Sequence, residues 1–304
     1  MIDINLLRND VNEVAKVLKK RGFDLNTEEF LALEQERKKI QTRTEELQGV
    51  RNENSKKIGA EKAKGNDIES LMTLVSKTSS ELKELETQLS VLQKTINTFL
   101  LNVPNIPHTS VPEGMNEEHN IVVRECGAKK IFDFDVVDHV DIGKLLGLDF
   151  DLGSKLSGSR FVVMRGGIAK LHRAIAQFML DIQVNEHGYE ECYTPFLVNT
   201  ESLTGTGQLP KFSEDLFATK RGGDEGDLYL IPTGEVPLTN LVRDSIQEED
   251  NLPMKFTALT PCFRSEAGSY GKDTKGMIRQ HQFEKVEMVQ ICHPDESYKV
   301  LDEM

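Results

Sequence analysis

The sequence of 304 residues lacks any run of about 18 apolar residues, the length that a membrane-spanning helix needs. Its N-terminus also lacks the apolar stretch of a secretory or transit peptide, since Asp3 already interrupts it. Cysteine is scarce: the four cysteines are scattered and form no CxxC pair. This pattern argues against a disulfide framework and against a zinc site. These absences predict a cytoplasmic protein with reduced thiols.

Positive charge is also in deficit. The chain has 37 Lys and Arg residues against 50 Asp and Glu residues, for a net charge of -13. This balance argues against a protein that coats DNA, but it leaves room for a local basic surface that binds RNA. The length is typical of two domains.

Residues 27–100 have the apolar spacing of long helices. A first seam is diluted by polar residues, whereas every step of a second seam is three or four residues, as in a coiled coil. The second seam consists of Ile68, Leu71, Val75, Thr78, Leu82, Leu85, Leu89, Leu92, Ile96 and Phe99. Between the seams, residues 59–67 carry two glycines and no apolar side chain beyond alanine. A dimerisation coiled coil is the alternative, but this turn favours an intramolecular antiparallel hairpin.

The first half of this hairpin is basic. Residues 30–65 contain nine basic and six acidic side chains, a local excess of three positive charges in an acidic chain. A run of charges is usually a solvated helix face. The alternative is a surface that contacts the phosphates of a nucleic acid.

A linker and a second domain follow. Residues 104–116 contain three prolines and little apolar periodicity, which is typical of a linker. Residues 120–127 are predicted to form a strand. Further on, Gly166 and Gly167 precede an amphipathic helix, and a strand interrupted at Pro195 follows it. From the residues alone, an ordinary core helix is the simplest interpretation.

Residues 260–291 are predicted to form two strands joined by a long loop with glycines. Because alternate side chains of a strand share a face, Arg264 and Glu266 are expected on one face of the first strand. The matching face of the second strand carries Phe283, Lys285 and Glu287. A solvent-facing hairpin is one interpretation. A nucleotide site is the other, since Arg suits phosphate, Phe offers a stacking surface and Glu accepts from an amine.

A second polar group follows a strand that runs to Pro232. Thr233, Gly234 and Glu235 stand at its end, and Pro237 suits the first turn of a following helix. The residues alone favour a helix cap, with a site for a small polar amine as the alternative.

Several of these segments together resemble one family. CFRSEAGSYGKDTKG and HQFEKVEM resemble motif 2 of class II aminoacyl-tRNA synthetases, and they are similar to bacterial seryl-tRNA synthetases nearly residue for residue. GTGQLPKF, residues 205–212, matches the same family. The helix–strand–proline unit at 168–195 resembles motif 1, the dimer interface. Thr-Gly-Glu resembles the family's serine-binding Thr-x-Glu, in which the middle residue is often alanine.

The resemblance implies an α+β protein. An N-terminal tRNA-binding domain, residues 1–103, would carry an antiparallel α-helical coiled-coil arm at about 27–100. After a linker at 104–116, residues 117–304 would form a class II catalytic domain with an antiparallel sheet. The family activates L-serine with ATP and Mg²⁺ and transfers it to tRNA(Ser), and also to tRNA(Sec). It acts as a homodimer and has no membrane or DNA partner.

The resemblance also assigns roles to residues. Arg264 stabilises charge at the α-phosphate, Glu266 meets the adenine amine and Phe283 stacks on the adenine ring. The implied catalytic residues are Arg264 and Glu266. The implied ATP-binding residues are Arg264, Ser265, Glu266, Arg279 and Phe283. The implied serine-binding residues are Thr233, Gly234, Glu235, Arg264 and Glu287. The residues expected to bind tRNA are Arg43, Arg51, Lys56 and Lys57. No metal ligand is expected in this chain.

Two alternatives remain open. Motif 3 of the class II enzymes is absent before Met304, so we expect an incomplete and inactive chain. A catalytically inactive tRNA-binding protein derived from a synthetase is therefore one alternative, although the retained site residues argue against it. A class II relative that charges a carrier protein is the other, and the basic hairpin argues against that one.

Overall fold

A computed structural model describes residues 2–220, 227–268 and 274–304. They form two compact units, Met1–Gly127 and Ala128–Met304. The linker expected at 104–116 therefore lies within the first unit. Within these described ranges, no helix combines the length and apolar character needed to span a bilayer.

The first unit is helical. Its helices are α1 (Ile4–Lys19), α2 (Thr27–Ala63) and α3 (Glu69–Asn102). α2 packs along α3 as an antiparallel hairpin, and every position of the predicted second seam is buried or half-buried. At the base of the hairpin, α1 joins a core that includes Leu7, Leu18, Phe30, Ile96 and Leu100. The predicted helical arm is confirmed.

The turn of the arm is shorter than predicted. α2 continues to Ala63, although the sequence placed the start of the turn at residue 59. Ala, Glu and Lys are strong helix formers, and they carry the helix past Gly59. The chain reverses only at Gly65, whose φ of +76° lies in the left-handed region that glycine adopts without strain.

A buried ionic group interrupts the apolar seam of α2. Glu34 accepts hydrogen bonds from Arg8 on α1 at 2.9 Å and from Arg37 at 3.0 Å. Burial alone would raise the pKa of Glu34, but the hydrogen bonds from Arg8 and Arg37 hold this pKa below its usual value. The Arg8–Glu34 ion pair joins α1 to α2 near the base of the arm.

The second unit mixes helices and strands. Its helices are α4 (His139–Leu146), α5 (Phe150–Ser157), α6 (Gly166–Asn185), α7 (Thr200–Gly205), α8 (Glu235–Thr239) and α9 (Ser297–Glu303). Its strands are β1 (Leu148–Asp149), β2 (Val163–Met164), β3 (Glu190–Glu191), β4 (Leu197–Val198), β5 (Ala218–Thr219), β6 (Leu228–Leu230), β7 (Met254–Phe263) and β8 (Gln282–Ile291).

The centre of this unit is the antiparallel pair β7–β8. The pairing is continuous over ten residues, with Ala258 opposite Glu287 and Cys262 opposite Phe283. β3 adds to β7 in parallel, and a smaller antiparallel sheet has the order β4-β6-β5. α6 packs against β7 and β8. The two predicted strands are therefore confirmed as an antiparallel pair, and β7 lies between β3 and β8 in the sheet.

The strand predicted at 120–127 is wrong. These residues have no regular structure, and Val123 is 98% exposed. A strand needs a neighbouring strand to complete its backbone hydrogen bonds, and the described residues offer none here.

Candidate active site

The inner face of β8 is as predicted. Phe283, Lys285 and Glu287 alternate along the strand and so share one face. The first strand differs from the prediction, because β7 ends at Phe263 and leaves Arg264 and Glu266 beyond it. Glu266 has a φ of +52°, in the left-handed region, so the two side chains do not alternate on a strand. A turn, and not a strand, directs them.

The residues expected to bind serine come together at Glu287. The Thr233 hydroxyl donates to Oε2 of Glu287 at 2.5 Å, and the backbone N–H of Glu235 points to the same oxygen at 3.3 Å. Lys285 completes the group: its Nζ lies 2.7 Å from Thr233 Oγ1 and 2.6 Å from Glu287 Oε2. Thr233 is only 5% exposed. The arrangement presents fixed oxygen acceptors to a small cation.

Gly234 allows this close approach. A Cβ atom at this position would lie 3.1 Å from Cβ of Glu287 and 3.2 Å from Oγ1 of Thr260. The backbone of Gly234 is helical, with a φ of -64°, so space and not conformation is what the glycine provides. An alanine here would push on the side chain of Glu287.

Glu235 lies beside this group. Partial burial of its carboxyl group and the nearby Glu287 carboxylate raise the pKa of Glu235, while Lys285 and Arg264 oppose the shift. Two carboxylates and two cations therefore share the site, and an added ammonium group is electrostatically favoured next to the carboxylates.

Arg264 links this group to the aromatic ring of β8. Its Nε donates to the carbonyl of Pro232 at 3.0 Å, and its guanidinium carbon lies 5.4 Å from the centre of the Phe283 ring. This is cation–π geometry, and it covers one face of the ring. The structure thus brings Arg264 and Phe283 together with the residues expected to bind serine, around one face of the hairpin.

The turn after Arg264 is anchored by contacts that the sequence did not predict. The Ser265 hydroxyl donates to the carbonyl of Glu214, and the Ser265 N–H donates to the carbonyl of Asp215 at 3.0 Å. The carboxylate of Asp215 accepts from the N–H of Ala267 at 2.9 Å. The hydroxyl of Ser265, expected at ATP, therefore also holds the turn in place.

Glu266 and Arg279 form an ion pair with an N···O distance of 3.2 Å. The carbonyl of Glu266 accepts from Arg160 at 3.1 Å. Arg279, expected at the ATP phosphates or at the acceptor end of the tRNA, thus lies at the carboxylate expected to meet adenine. Arg160 was missed because its partner is more than 100 residues away in sequence.

The arm carries the four cations expected to bind tRNA. Arg43 pairs with Glu81 across the hairpin at 2.8 Å and with Glu46 at 3.5 Å. Lys57 pairs with Glu53 at 2.7 Å. Lys56 is exposed and Arg51 is half-buried. Neighbouring carboxylates therefore offset part of the positive charge that the sequence indicated.

Two further observations concern metal ligands and a cleft lined in part by Arg160. In the described part of the chain, no group of three or more His, Cys, Asp or Glu residues is arranged to hold a metal ion. A cleft of about 500 Å³ is lined by Phe150, Arg160, Phe161, Lys275 and Gln280, among others. The Thr233–Glu287 group is not part of its lining.

Family models match both ends of the chain. Residues 1–107 match the seryl-tRNA synthetase N-terminal domain, and residues 217–304 match the tRNA synthetase class II core domain for G, H, P, S and T. The chain is 61% identical to a serine–tRNA ligase of Herminiimonas arsenicoxydans and 59% identical to one of Methylobacillus flagellatus. In both comparisons the match covers the whole chain and 71% of the relative.

Solved structures agree with these relatives. A seryl-tRNA synthetase from Pyrococcus horikoshii, complexed with ATP, matches with a TM-score of 0.85 and 32% identity over all of this chain and 72% of that one. A cytoplasmic serine–tRNA ligase from Naegleria fowleri, in complex with AMP, matches with a TM-score of 0.83 and 27% identity over 99% of this chain and 69% of that one. This chain therefore belongs to the seryl-tRNA synthetase family, whose core domain is of class II.

Proposed function

We propose that the protein is a serine–tRNA ligase, which joins L-serine to tRNA(Ser) and, as in the family it resembles, to tRNA(Sec). The observation that carries this proposal is the group of Thr233, Glu235 and Glu287 beside Arg264. It offers oxygen acceptors to an ammonium and a hydroxyl, with a guanidinium close by. Because such charging serves translation, the proposal includes a cytoplasmic location.

The proposed reaction has two steps. First, a carboxylate oxygen of serine attacks the α-phosphate of ATP, and pyrophosphate leaves with the electrons of the broken P–O bond. Second, a terminal ribose hydroxyl of the tRNA attacks the carbonyl carbon of seryl-adenylate. The bond between this carbon and the phosphate oxygen breaks, AMP leaves with the electrons of that bond, and the hydroxyl proton is released. Arg264 stabilises the charge that develops at the α-phosphate in the first step.

Serine would be held by its ammonium and its hydroxyl. Glu287 and Thr233 lie within hydrogen-bond distance of each other, so one small ligand can contact both. A site that hydrogen-bonds a hydroxyl discriminates strongly against an analogue without it, since its own polar groups are then left unpaired. This supports serine over alanine as the substrate.

ATP would lie along the turn after Arg264 and against the aromatic ring of Phe283 on β8. We assign the adenine amine to Glu266, the ring face to Phe283 and phosphate contacts to Arg279, with Ser265 holding the turn. The solved relative from P. horikoshii contains ATP, and the one from N. fowleri contains AMP. Because Arg279 is paired with Glu266, phosphate binding requires this ion pair to rearrange.

The described residues contain no cluster of three or more His, Cys, Asp or Glu side chains that would hold Mg²⁺ on its own. We assign Mg²⁺ to the phosphates of ATP, because this ion commonly binds nucleotides through their phosphates.

The rest of the chain fits the same proposal. We assign residues 1–103 to tRNA binding and residues 117–304 to catalysis, with 104–116 between them. The basic residues of α2 would contact the tRNA. We also propose a homodimer through 168–195, since α6 exposes a row of apolar side chains. These are Leu171, Ile175, Phe178 and Met179, each between 43% and 64% exposed.

Aminoacylation tests the proposed function. The protein expressed from its complete reading frame should attach labelled serine to tRNA(Ser) transcripts in the presence of ATP and Mg²⁺. Alanine and threonine in place of serine provide the matched controls, and we expect no stable product with either. Charging of tRNA with another amino acid, but not with serine, would contradict the proposal.

A further inference from the structure

Lys285 has no role in the site as assigned so far, yet it lies at its centre. Its ammonium nitrogen is 2.7 Å from Thr233 Oγ1 and 2.6 Å from Glu287 Oε2. These are the lengths of strong, charge-assisted hydrogen bonds. The two oxygens are the same ones that the proposed function assigns to serine.

The ammonium of a lysine side chain and the ammonium of an amino acid are chemically alike. Both are compact cations that donate up to three hydrogen bonds and accept none. A pair of acceptors that suits one therefore suits the other, and both cannot occupy the same position. The side chain and the substrate must compete for Thr233 and Glu287.

The acceptors are held more firmly than the cation. Thr233 is almost fully buried, and Glu287 is fixed by the Thr233 hydroxyl and the N–H of Glu235. Lys285 is the partner that can move, because its ammonium ends a flexible four-carbon chain and the side chain is 34% exposed. Displacement of Lys285 leaves the acceptors in place.

We propose that Lys285 fills the ammonium subsite of the empty protein and that the ammonium of serine displaces it. This inference rests on the proposed function, since it takes Thr233 and Glu287 as the groups that bind serine. It makes Lys285 a residue that sets the affinity for the amino acid. It also explains how two carboxylates, Glu235 and Glu287, lie close together in a site that awaits a cation.

The alternative role for Lys285 is structural. A lysine that merely orients Thr233 and Glu287 would stabilise the site, and its loss would weaken ligand binding. A lysine that competes with the ligand has the opposite effect, because its loss frees the acceptors. The sign of the change in affinity therefore distinguishes the two roles.

Ethanolamine is the best probe for this test. It carries the ammonium and hydroxyl of serine but no carboxylate, so any separate attraction between Lys285 and the carboxylate does not enter. We expect Lys285→Met to bind ethanolamine about tenfold more tightly than the unaltered protein does, as measured by isothermal titration calorimetry with the protein expressed from its complete reading frame.

The matched control is Lys255→Met. Lys255 lies on β7, where its ammonium is 5.7 Å from the ring of Tyr189, so the substitution removes the same charge from the same sheet outside the site. This variant should bind ethanolamine as the unaltered protein does. Lys285→Gln keeps a neutral polar side chain, and it replaces Lys285→Met if thermal melting shows that the methionine variant is unfolded.

Serine binding distinguishes a failure of the Lys285 competition from a failure of the proposed function. If the unaltered protein binds serine but the Lys285 variant binds ethanolamine equally or more weakly, the competition is refuted while the proposed function stands. If the unaltered protein binds neither serine nor ethanolamine, the amino-acid site is wrong, and the role of Lys285 falls with it.

Discussion

Glu287 is the residue that Thr233 and Glu235, which are also expected to bind serine, both contact. It accepts from Thr233 and from the backbone of Glu235, and it faces Lys285. Replacing Glu287 by Ala removes the charged partner of the substrate ammonium. Since a hydrogen bond to a charged group contributes about 1.5–3 kcal/mol, we expect KM for serine to rise about 10- to 100-fold, with a smaller change in KM for ATP. Steady-state pyrophosphate-exchange kinetics would measure both.

The matched control for this change is Glu284→Ala. Glu284 lies on the same strand with its side chain on the opposite face, where it approaches His172 at 3.5 Å. Its loss should leave KM for serine unchanged. Equal effects of the two substitutions would contradict the serine role of Glu287.

Residue patterns predicted part of this site and not the rest. Alternation along β8 put Phe283, Lys285 and Glu287 on one face, because period-two geometry is local. The same argument failed for Glu266, where contacts with Asp215 and Arg160 turn the chain away from the strand. Those partners are about 50 to more than 100 residues away in sequence, and no local sequence pattern predicts them.

At the scale of elements, the buried Glu34 stabilises the base of the arm in a manner that depends on pH. Its pKa is lowered in the folded state, so its contribution is present above the unfolded pKa of about 4.3 and is lost as pH falls through the folded value. We expect Glu34→Gln to lower the free energy of unfolding by about 1–3 kcal/mol at pH 7. Urea melts at several pH values would measure this.

The same melts supply the control. At a pH below the folded pKa of Glu34, the carboxyl group is protonated in the unaltered protein, so the difference between the two proteins should shrink. Glu84→Gln, an exposed change on α3, should have little effect at any pH. A difference for Glu34→Gln that stays constant from neutral to acid pH would show that the ion pair is not its cause.

The arm's basic residues make a separate prediction. Replacing Arg43, Arg51, Lys56 and Lys57 by Ala should weaken tRNA(Ser) binding and reduce its salt dependence, because fewer counterions are released. Since Arg43 and Lys57 are already paired with carboxylates, we expect a loss of roughly two phosphate contacts in the salt slope, and not four. Filter binding over a range of salt concentrations would measure both.

A variant with Lys77, Lys83 and Lys94 of α3 replaced by Ala is the control for nonspecific loss of charge. It should change affinity and slope less than the α2 variant. If the α2 variant kept the affinity and the salt slope of the unaltered protein, this result would show that the arm does not bind the tRNA. Thermal melting checks that loss of the Arg43–Glu81 pair has not opened the hairpin.

The arm itself could be predicted from sequence because its contacts repeat every three or four residues between neighbouring helices. The end of α2 could not be placed as well. Gly59 predicts that the helix ends, whereas the strong helix formers after it predict that the helix continues. Glu34 was also missed: a charged side chain in the seam is buried only because Arg8 of another helix meets it.

At the scale of the whole molecule, the exposed apolar row of α6 predicts self-association. Phe178 is 64% exposed in the single chain, and Phe178→Asp would place a charge in the proposed interface. We expect the dimer dissociation constant to rise at least 100-fold, as measured by analytical ultracentrifugation. Arg173→Asp, a charge change on the same helix, should have a much smaller effect. A Phe178→Asp protein that remains fully dimeric at nanomolar concentration would exclude this face as the interface.

The central claim is that the group around Arg264 and Glu287 activates serine, and serine-dependent ATP–pyrophosphate exchange tests it most directly. In the protein expressed from its complete reading frame, Arg264→Ala should lower exchange at least 100-fold, because a lost charge-stabilising donor costs about 3–4 kcal/mol of barrier. Arg264→Lys should also remain slow, since lysine cannot reproduce the planar guanidinium on Phe283. Binding of tRNA(Ser) should stay close to that of the unaltered protein. Exchange at the unaltered rate in Arg264→Ala would contradict the account.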